Sequence, residues 1–174
     1  DLLSLAAIPK RTAVCIAQAA VKRLRFGYLR WVPISADHVG RVYPATKPYR
    51  VSRAKIAEFA AALGDTNPAY FDDESPIAPP TFAAVIAAQA WGAMFDDPDL
   101  GLALRRTIHA DQRFDIVRPL REGDDVVATL TIEKVRSRGN VDMVTIGVAL
   151  STVGGEPLGT ATSQLIHTRE EAVA

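Results

Sequence analysis

Residues 63–95 read LGDTNPAYFDDESPIAPPTFAAVIAAQAWGAMF. The first half is turn chemistry. Asp65, Asn67 and Pro68 favour tight bends, and the acidic run Asp72-Asp73-Glu74 prolongs the loop. Pro79-Pro80 then closes it and pre-sets the first turn of a helix. From Thr81 to Phe95 the residues are apolar on nearly every side. A helix without a polar face lies inside a protein, wrapped by other elements. Asp96-Asp97-Pro98 ends it.

Upstream, Ile56, Phe59, Ala60 and Leu63 recur at helical spacing between a capping Ser52 and a terminal Gly64. This predicts a helix over 53–63. The stretch from Tyr43 to Val51 reads as extended, and Pro44 and Pro48 confine it to a sheet edge. Downstream of Arg105 the period changes to two. Thr107–Val117, Val126–Glu133, Val144–Leu150 and Leu158–His167 alternate as strands. Ser137-Arg138-Gly139-Asn140 and Gly154-Gly155-Glu156-Pro157 read as hairpin turns. Short connections favour antiparallel pairing. The expected class is α+β, an antiparallel sheet curled around one long helix.

Bulk composition narrows the function. The 174 residues suit one domain, with 48% hydrophobic and 23% charged residues. Twenty basic residues cancel twenty acidic ones, so nothing global points to nucleic acid. One cysteine, Cys15, excludes a disulfide scaffold and a cysteine-held metal. His38, His109 and His167 have no metal-ligand spacing, and no apolar run reaches the ~18 residues of a membrane span. No metal or cofactor is expected, nor a membrane partner, and a reducing cytoplasm fits.

Residues 1–31 carry six basic residues against Asp1. Ala13, Ile16, Ala17, Ala20, Val21 and Leu24 follow an amphipathic pattern. The expected organisation is a basic N-terminal appendage over 1–31 and a single domain over 32–174. Three readings of the appendage stay open. It is a helix packed on or fraying from the domain, a helix for a membrane surface or acidic partner, or a segment outside the natural coding sequence. A signal peptide fits poorly, because the apolar core is short and contains Gln18.

The motifs resemble a family. Gly64-Asp65-Thr66-Asn67-Pro68-Ala69-Tyr70 is similar to the G-D-x-N-P-x-H loop of MaoC-like hot-dog hydratases and dehydratases, with Tyr70 where histidine stands. Pro76-Ile77-Ala78-Pro79-Pro80 is similar to their P-I-A-H-G entry to the central helix, with Pro79-Pro80 replacing His-Gly. Arg118-Pro119-Leu120-Arg121-Glu122-Gly123-Asp124 resembles their P-[LIV]-x-x-G-D turn. In active members Asp and His work as acid and base, and backbone N–H groups at the helix start hold the thioester oxygen. Tyr70 and Pro80 impair both halves. The pattern, with Thr46–Ala60 and Ile77–Phe82, looks like the non-catalytic subunit of the mycobacterial type II (3R)-hydroxyacyl-ACP dehydratase and the UPF0336 group.

The resemblance implies a hot-dog fold and a catalytic hot-dog partner, or a second copy of the chain. It implies a long acyl chain on acyl carrier protein or CoA, in fatty-acid synthesis of the mycolic-acid type. On this reading the chain holds the acyl group and its partner supplies Asp and His. One alternative is a self-sufficient R-specific hydratase homodimer using Asp65, and another is a non-enzymatic acyl-thioester or lipid-binding protein. Candidate site residues are Asp65, Tyr70, Ile77, Ala78, Thr81 and Phe82, with Asn67 holding the loop. Tyr70 reads as packing or as a weak acid, a phenol being poorly matched to proton transfer near neutral pH. Thr81 and Phe82 read equally as first-turn residues or tunnel lining. Trp91, Met94, His109 and His167 read as structural, and Arg136 and Arg138 as a solvated turn or a contact for an acidic carrier.

Overall fold

A computed structural model describes residues 33–170. The appendage expected over 1–31 lies outside the described residues. Ser52 accepts from the Lys55 N–H and starts a helix over Arg53–Leu63, which Gly64 ends at φ 67° in the left-handed region. Both ends fall where the capping residues place them.

The central helix runs from Pro80 to Phe95 as four joined pieces: 3₁₀ over Pro80–Phe82, α over Ala83–Ala87, 3₁₀ over Ala88–Ala90 and α over Trp91–Phe95. Phe82, Ala83, Ile86, Ala87, Ala90 and Met94 are buried against the sheet. The helix is not wrapped on every side, as expected above. Thr81, Ala88, Gln89, Gly92 and Ala93 are exposed. The sheet covers one side only, and the small residues opposite it present little apolar area.

The five strands are β1 (Tyr49–Arg50), β2 (Thr107–Ile116), β3 (Asp125–Arg138), β4 (Val141–Thr152) and β5 (Pro157–Thr168). They form one antiparallel sheet in the order β1-β3-β4-β5-β2. Only two residues of the expected Tyr43–Val51 piece pair as a strand, at the edge where the prolines confine it. β2 is the other edge. Alternation turns Val126, Ala128, Leu130 and Ile132 of β3 toward the helix, with Val144, Ile146, Val148 and Leu150 of β4. This is the hot-dog arrangement.

Two devices fasten the ends. Tyr43 Oη donates to Asp97 Oδ2 at 2.8 Å, and Arg41 Nη1 donates to the same oxygen at 2.6 Å. They tie the segment beside β3 to the end of the central helix. Burial and the bond to Asp97 hold the Tyr43 phenol well above its usual range. At the far end of the sheet, Asp142 and His167 are 1% and 2% exposed. Asp142 accepts from Ser137 Oγ at 2.6 Å and from the Arg169 guanidinium. His167 Nε2 accepts the Ala103 N–H at 3.2 Å, while Nδ1 has no hydrogen-bond partner among the described residues and lies 3.8 Å from Asp142 Oδ2.

Burial, more than the Asp142 charge, sets His167 and lowers its pKa below the ordinary 6.5. The unfolded chain therefore binds a proton that the native one refuses. Stability from His167 is complete above about pH 6.5 and falls as the pH drops from there toward the native value. The urea midpoint should fall between pH 7 and 5.5 in the natural chain, and more shallowly in His167→Gln. Equal slopes would overturn this account.

β5 meets the edge strand at Gly159, where φ is 152°. A Cβ there would stand 2.6 Å from the Asp115 carbonyl oxygen and 3.2 Å from Ile116 Cα, both backbone. Gly159→Ala is expected to cost about 2–3 kcal/mol, read as a lowered urea midpoint. A loss below ~0.5 kcal/mol would show that β2 moves away freely.

Candidate functional site

The loop before the central helix is held by its own side chains. Asp65 Oδ1 accepts the Asn67 N–H at 3.0 Å, and Asn67 Oδ1 accepts the Ala69 N–H at 3.0 Å. Asn67 thereby caps a 3₁₀ turn over Pro68–Tyr70 that swings Tyr70 inward, where it is 7% exposed. The Tyr70 hydroxyl makes no hydrogen bond among the described residues. Asp72 closes the next bend by accepting the Glu74 and Ser75 N–H groups.

Tyr70 lines a cavity of about 150 Å³. Ile77, Ala78, Pro79 and Pro80 form one wall. The opposite wall is Ile116, at the end of β2, with Pro119 and Leu120 from the turn that follows. Among the described residues, Asn67 and Tyr70 bring its only polar side chains. Of the predicted residues, the structure gathers Tyr70, Ile77 and Ala78 here with Asn67. Asp65 turns back on its own loop, Thr81 is exposed, and Phe82 is 0% exposed in the core. None of the three histidines lines the cavity. His38 caps a turn near the start of the described chain. His109 stands edge-on to Trp91 with ring centroids 5.1 Å apart.

Sequence reading missed Ile116, Pro119 and Leu120 as cavity walls. The Arg118–Asp124 motif was the signal for Pro119 and Leu120. Ala78 N–H donates to the Leu120 carbonyl at 2.8 Å, and an isolated bridge joins Ile77 to Arg121. These bonds dock the motif against the helix entry. Inside it, Arg118 donates to both Asp124 oxygens at 2.8 and 3.0 Å and to Glu156 at 2.7 and 2.9 Å. Burial pushes the Asp124 carboxyl up, but Arg118 and the Arg121 N–H outweigh it and hold the group below its usual range. Arg118 thus clamps the turn that carries Pro119 and Leu120.

The helix entry is poor in donors. Pro79 and Pro80 have no N–H. Ala78 gives its own to Leu120, and Phe82 gives its own to Pro79 at 2.9 Å. That leaves the Thr81 N–H at most for a thioester oxygen. The cavity can therefore hold an apolar chain, but it lacks an imidazole–carboxylate pair for proton transfer.

Comparison with known proteins places this geometry. The family model for the FAS1-like dehydratase domain region matches residues 37–161. A UPF0336 protein of Cutibacterium acnes is 57% identical over 141 residues, covering 81% of this chain and 99% of that one. The C-terminally truncated HadBC (3R-hydroxyacyl-ACP dehydratase) complex of Mycobacterium tuberculosis contains a similar chain, at TM-score 0.66 and 27% identity. The match covers 76% of this chain and 99% of that one. The MaoC-like dehydratase of Rhodospirillum rubrum shares the fold at TM-score 0.60 and 23% identity, over 77% of this chain and 94% of that one.

Proposed function

The chain belongs to the FAS1-like dehydratase family of MaoC-like hot-dog proteins, and from that premise we propose that it is the acyl-binding subunit of a two-subunit (3R)-hydroxyacyl-thioester dehydratase. A hot-dog partner supplies the catalytic Asp and His. The substrate is a β-hydroxyacyl or 2-enoyl chain on acyl carrier protein or CoA, handled in the cytoplasm during fatty-acid synthesis. One observation carries this reading. The cavity beside the degenerate loop is walled by apolar residues and prolines, and among the described residues Tyr70 and Asn67 are its only polar side chains. Such a site binds an acyl chain but moves no proton efficiently near neutral pH. The HadBC complex supports a paired arrangement. β2 suits such a partner, because its outer edge pairs with no strand among the described residues and Ile108 and Ile116 are 65% and 39% exposed. Ile116 also lines the cavity, so a partner seated on this edge would complete its rim.

The test is hydration of trans-2-enoyl thioesters by the chain alone and then with a hot-dog subunit carrying an intact D-x-N-P-x-H loop. Activity only in the mixture supports the proposal, and equal activity in both overturns it. A self-sufficient enzyme using Asp65 and Tyr70 is the second reading, favoured by the unbonded Tyr70 hydroxyl. It requires activity in the chain alone, abolished by Asp65→Asn.

A further inference from the structure

Trp91 Nε1 and His167 Nδ1 are sealed from solvent and have no hydrogen-bond partner among the described residues. Neither can meet a ligand. The Tyr70 hydroxyl differs. Its residue is 7% exposed, and it too is unbonded among the described residues, but the oxygen itself is not sealed. The cavity that Tyr70 lines is its way to solvent. A phenol so placed can bond only to what enters the cavity.

The rest of the lining offers a ligand little else. Pro79 and Pro80 have no N–H, and Ala78 gives its own to the Leu120 carbonyl. The Asn67 and Pro79 carbonyls accept the Tyr70 and Phe82 N–H groups, and the Pro119 carbonyl accepts from Arg118 Nη1. The Asn67 side chain remains. Its Oδ1 accepts the Ala69 N–H and keeps a second lone pair, and its amide N–H groups have no partner among the described residues. Asn67 and Tyr70 stand three residues apart about a 3₁₀ turn, which places their side chains on one side. The cavity thus has one polar corner, a hydroxyl beside a carboxamide, and apolar walls elsewhere.

We propose that this corner holds the 3-hydroxyl of a β-hydroxyacyl thioester, so that the chain grips the substrate of dehydration and not its 2-enoyl product. The Tyr70 O–H donates to the ligand oxygen, and the ligand hydroxyl donates to Asn67 Oδ1. Size agrees with this. A cavity of about 150 Å³ has room for about six carbon atoms, since an apolar cavity of that volume accepts a benzene ring. The first carbons of an acyl thioester, with an oxygen on the third, match both the volume and the single polar corner. A longer tail continues past Ile116 at the rim, which is 39% exposed. A saturated or 2-enoyl chain strips water from Tyr70 and returns no bond, which weakens its binding.

This rests on the acyl-binding reading above and gives it a direction. In dehydration the C2 proton and the C3 hydroxyl leave together as water, and the C2–C3 bond becomes double. The product then has no oxygen for Tyr70 or Asn67, so it loosens while substrate is held. Tyr70 acts as a specificity residue and moves no proton.

The experiment measures equilibrium binding of (3R)-3-hydroxyhexanoyl-CoA, hexanoyl-CoA and trans-2-hexenoyl-CoA to the chain alone. CoA is common to all three, so the affinity ratios isolate the third carbon. The hydroxyacyl ligand is expected to bind at least about 5-fold tighter than the other two, and Tyr70→Phe is expected to bring all three within about 2-fold of one another. The variant keeps the ring and removes an oxygen that bonds to nothing among the described residues, so it is expected to fold as the natural chain does. Equal affinities in the natural chain overturn the proposal. So does a preference that survives Tyr70→Phe. A parallel loss of all three ligands in the variant overturns it too, because Tyr70 would then be a packing residue. Turnover by the chain alone would defeat both this proposal and the two-subunit reading. If no ligand binds the chain alone, the ratios are read on the mixture with a catalytic subunit whose catalytic Asp is replaced by Asn, and absence of binding there is decisive against the proposal. No activity in any mixture defeats the two-subunit reading only, since a Tyr70-dependent hydroxyl preference in the chain by itself still supports the polar corner.

Discussion

Mixed with a hot-dog subunit that carries an intact Asp/His loop, the chain is expected to hydrate long trans-2-enoyl thioesters at least about 10²-fold faster than it does alone. The size follows from what the cavity lacks. Positioned acid–base groups are worth roughly 10²–10⁴ in rate, and losing one donor to a developing oxyanion costs about 10²–10³. Here Tyr70 stands where the resemblance puts histidine, and prolines occupy positions 79 and 80. The two effects do not simply multiply, since groups acting as a unit are not additive. Repair offers a second measurement on the same argument. Tyr70→His with Pro80→Gly restores an imidazole at the cavity and an N–H at its rim. That double variant should show activity in the chain alone, and because Asp65 must leave the Asn67 N–H to pair with the new imidazole, Asp65→Asn should remove the gain. Full activity in the unmodified chain by itself would sink the argument.

The strands, the first helix and its caps were legible because each depends on neighbours in sequence. Ser52 and Gly64 act within one turn of the helix they bound. The central helix was legible in length but not in exposure. An apolar run reports that a helix is covered, not by which chain, and Ala88, Gly92 and Ala93 lie bare in this one. The candidate site divides in the same way. Tyr70, Ile77 and Ala78 sit within one local loop, and that loop's motif marked them. Ile116 reaches the cavity from the end of an edge strand, and no local pattern signals that approach. Asp65 shows the converse. Its place in a recognisable motif made it a candidate, while turn chemistry gives its carboxylate a partner two residues away.

Phe82→Ala is expected to destabilise the chain by about 3–5 kcal/mol. Domains of this size are stable by only about 5–15 kcal/mol in all. Phe82 is 0% exposed at the first turn of the central helix. Phe59 of the first helix meets it edge-on, with centroids 5.3 Å apart at 90°, and Tyr49 of β1 meets it at 6.2 Å and 61°. One ring thus joins the first helix, an edge strand and the central helix. Its removal leaves a void bordered by all three, which cannot collapse without moving the caps and the β1 pairing. Phe82→Leu keeps most of the volume and should cost less than about half as much. Phe82 N–H also bonds to the carbonyl of Pro79, a cavity wall, so the backbone of Phe82 belongs to the turn beside the proposed acyl site. Urea unfolding of both variants, read beside long-chain acyl-thioester binding, separates the two roles. Destabilisation with unchanged binding would confine Phe82 to the fold, and a Phe82→Ala cost below ~1 kcal/mol would refute the packing account.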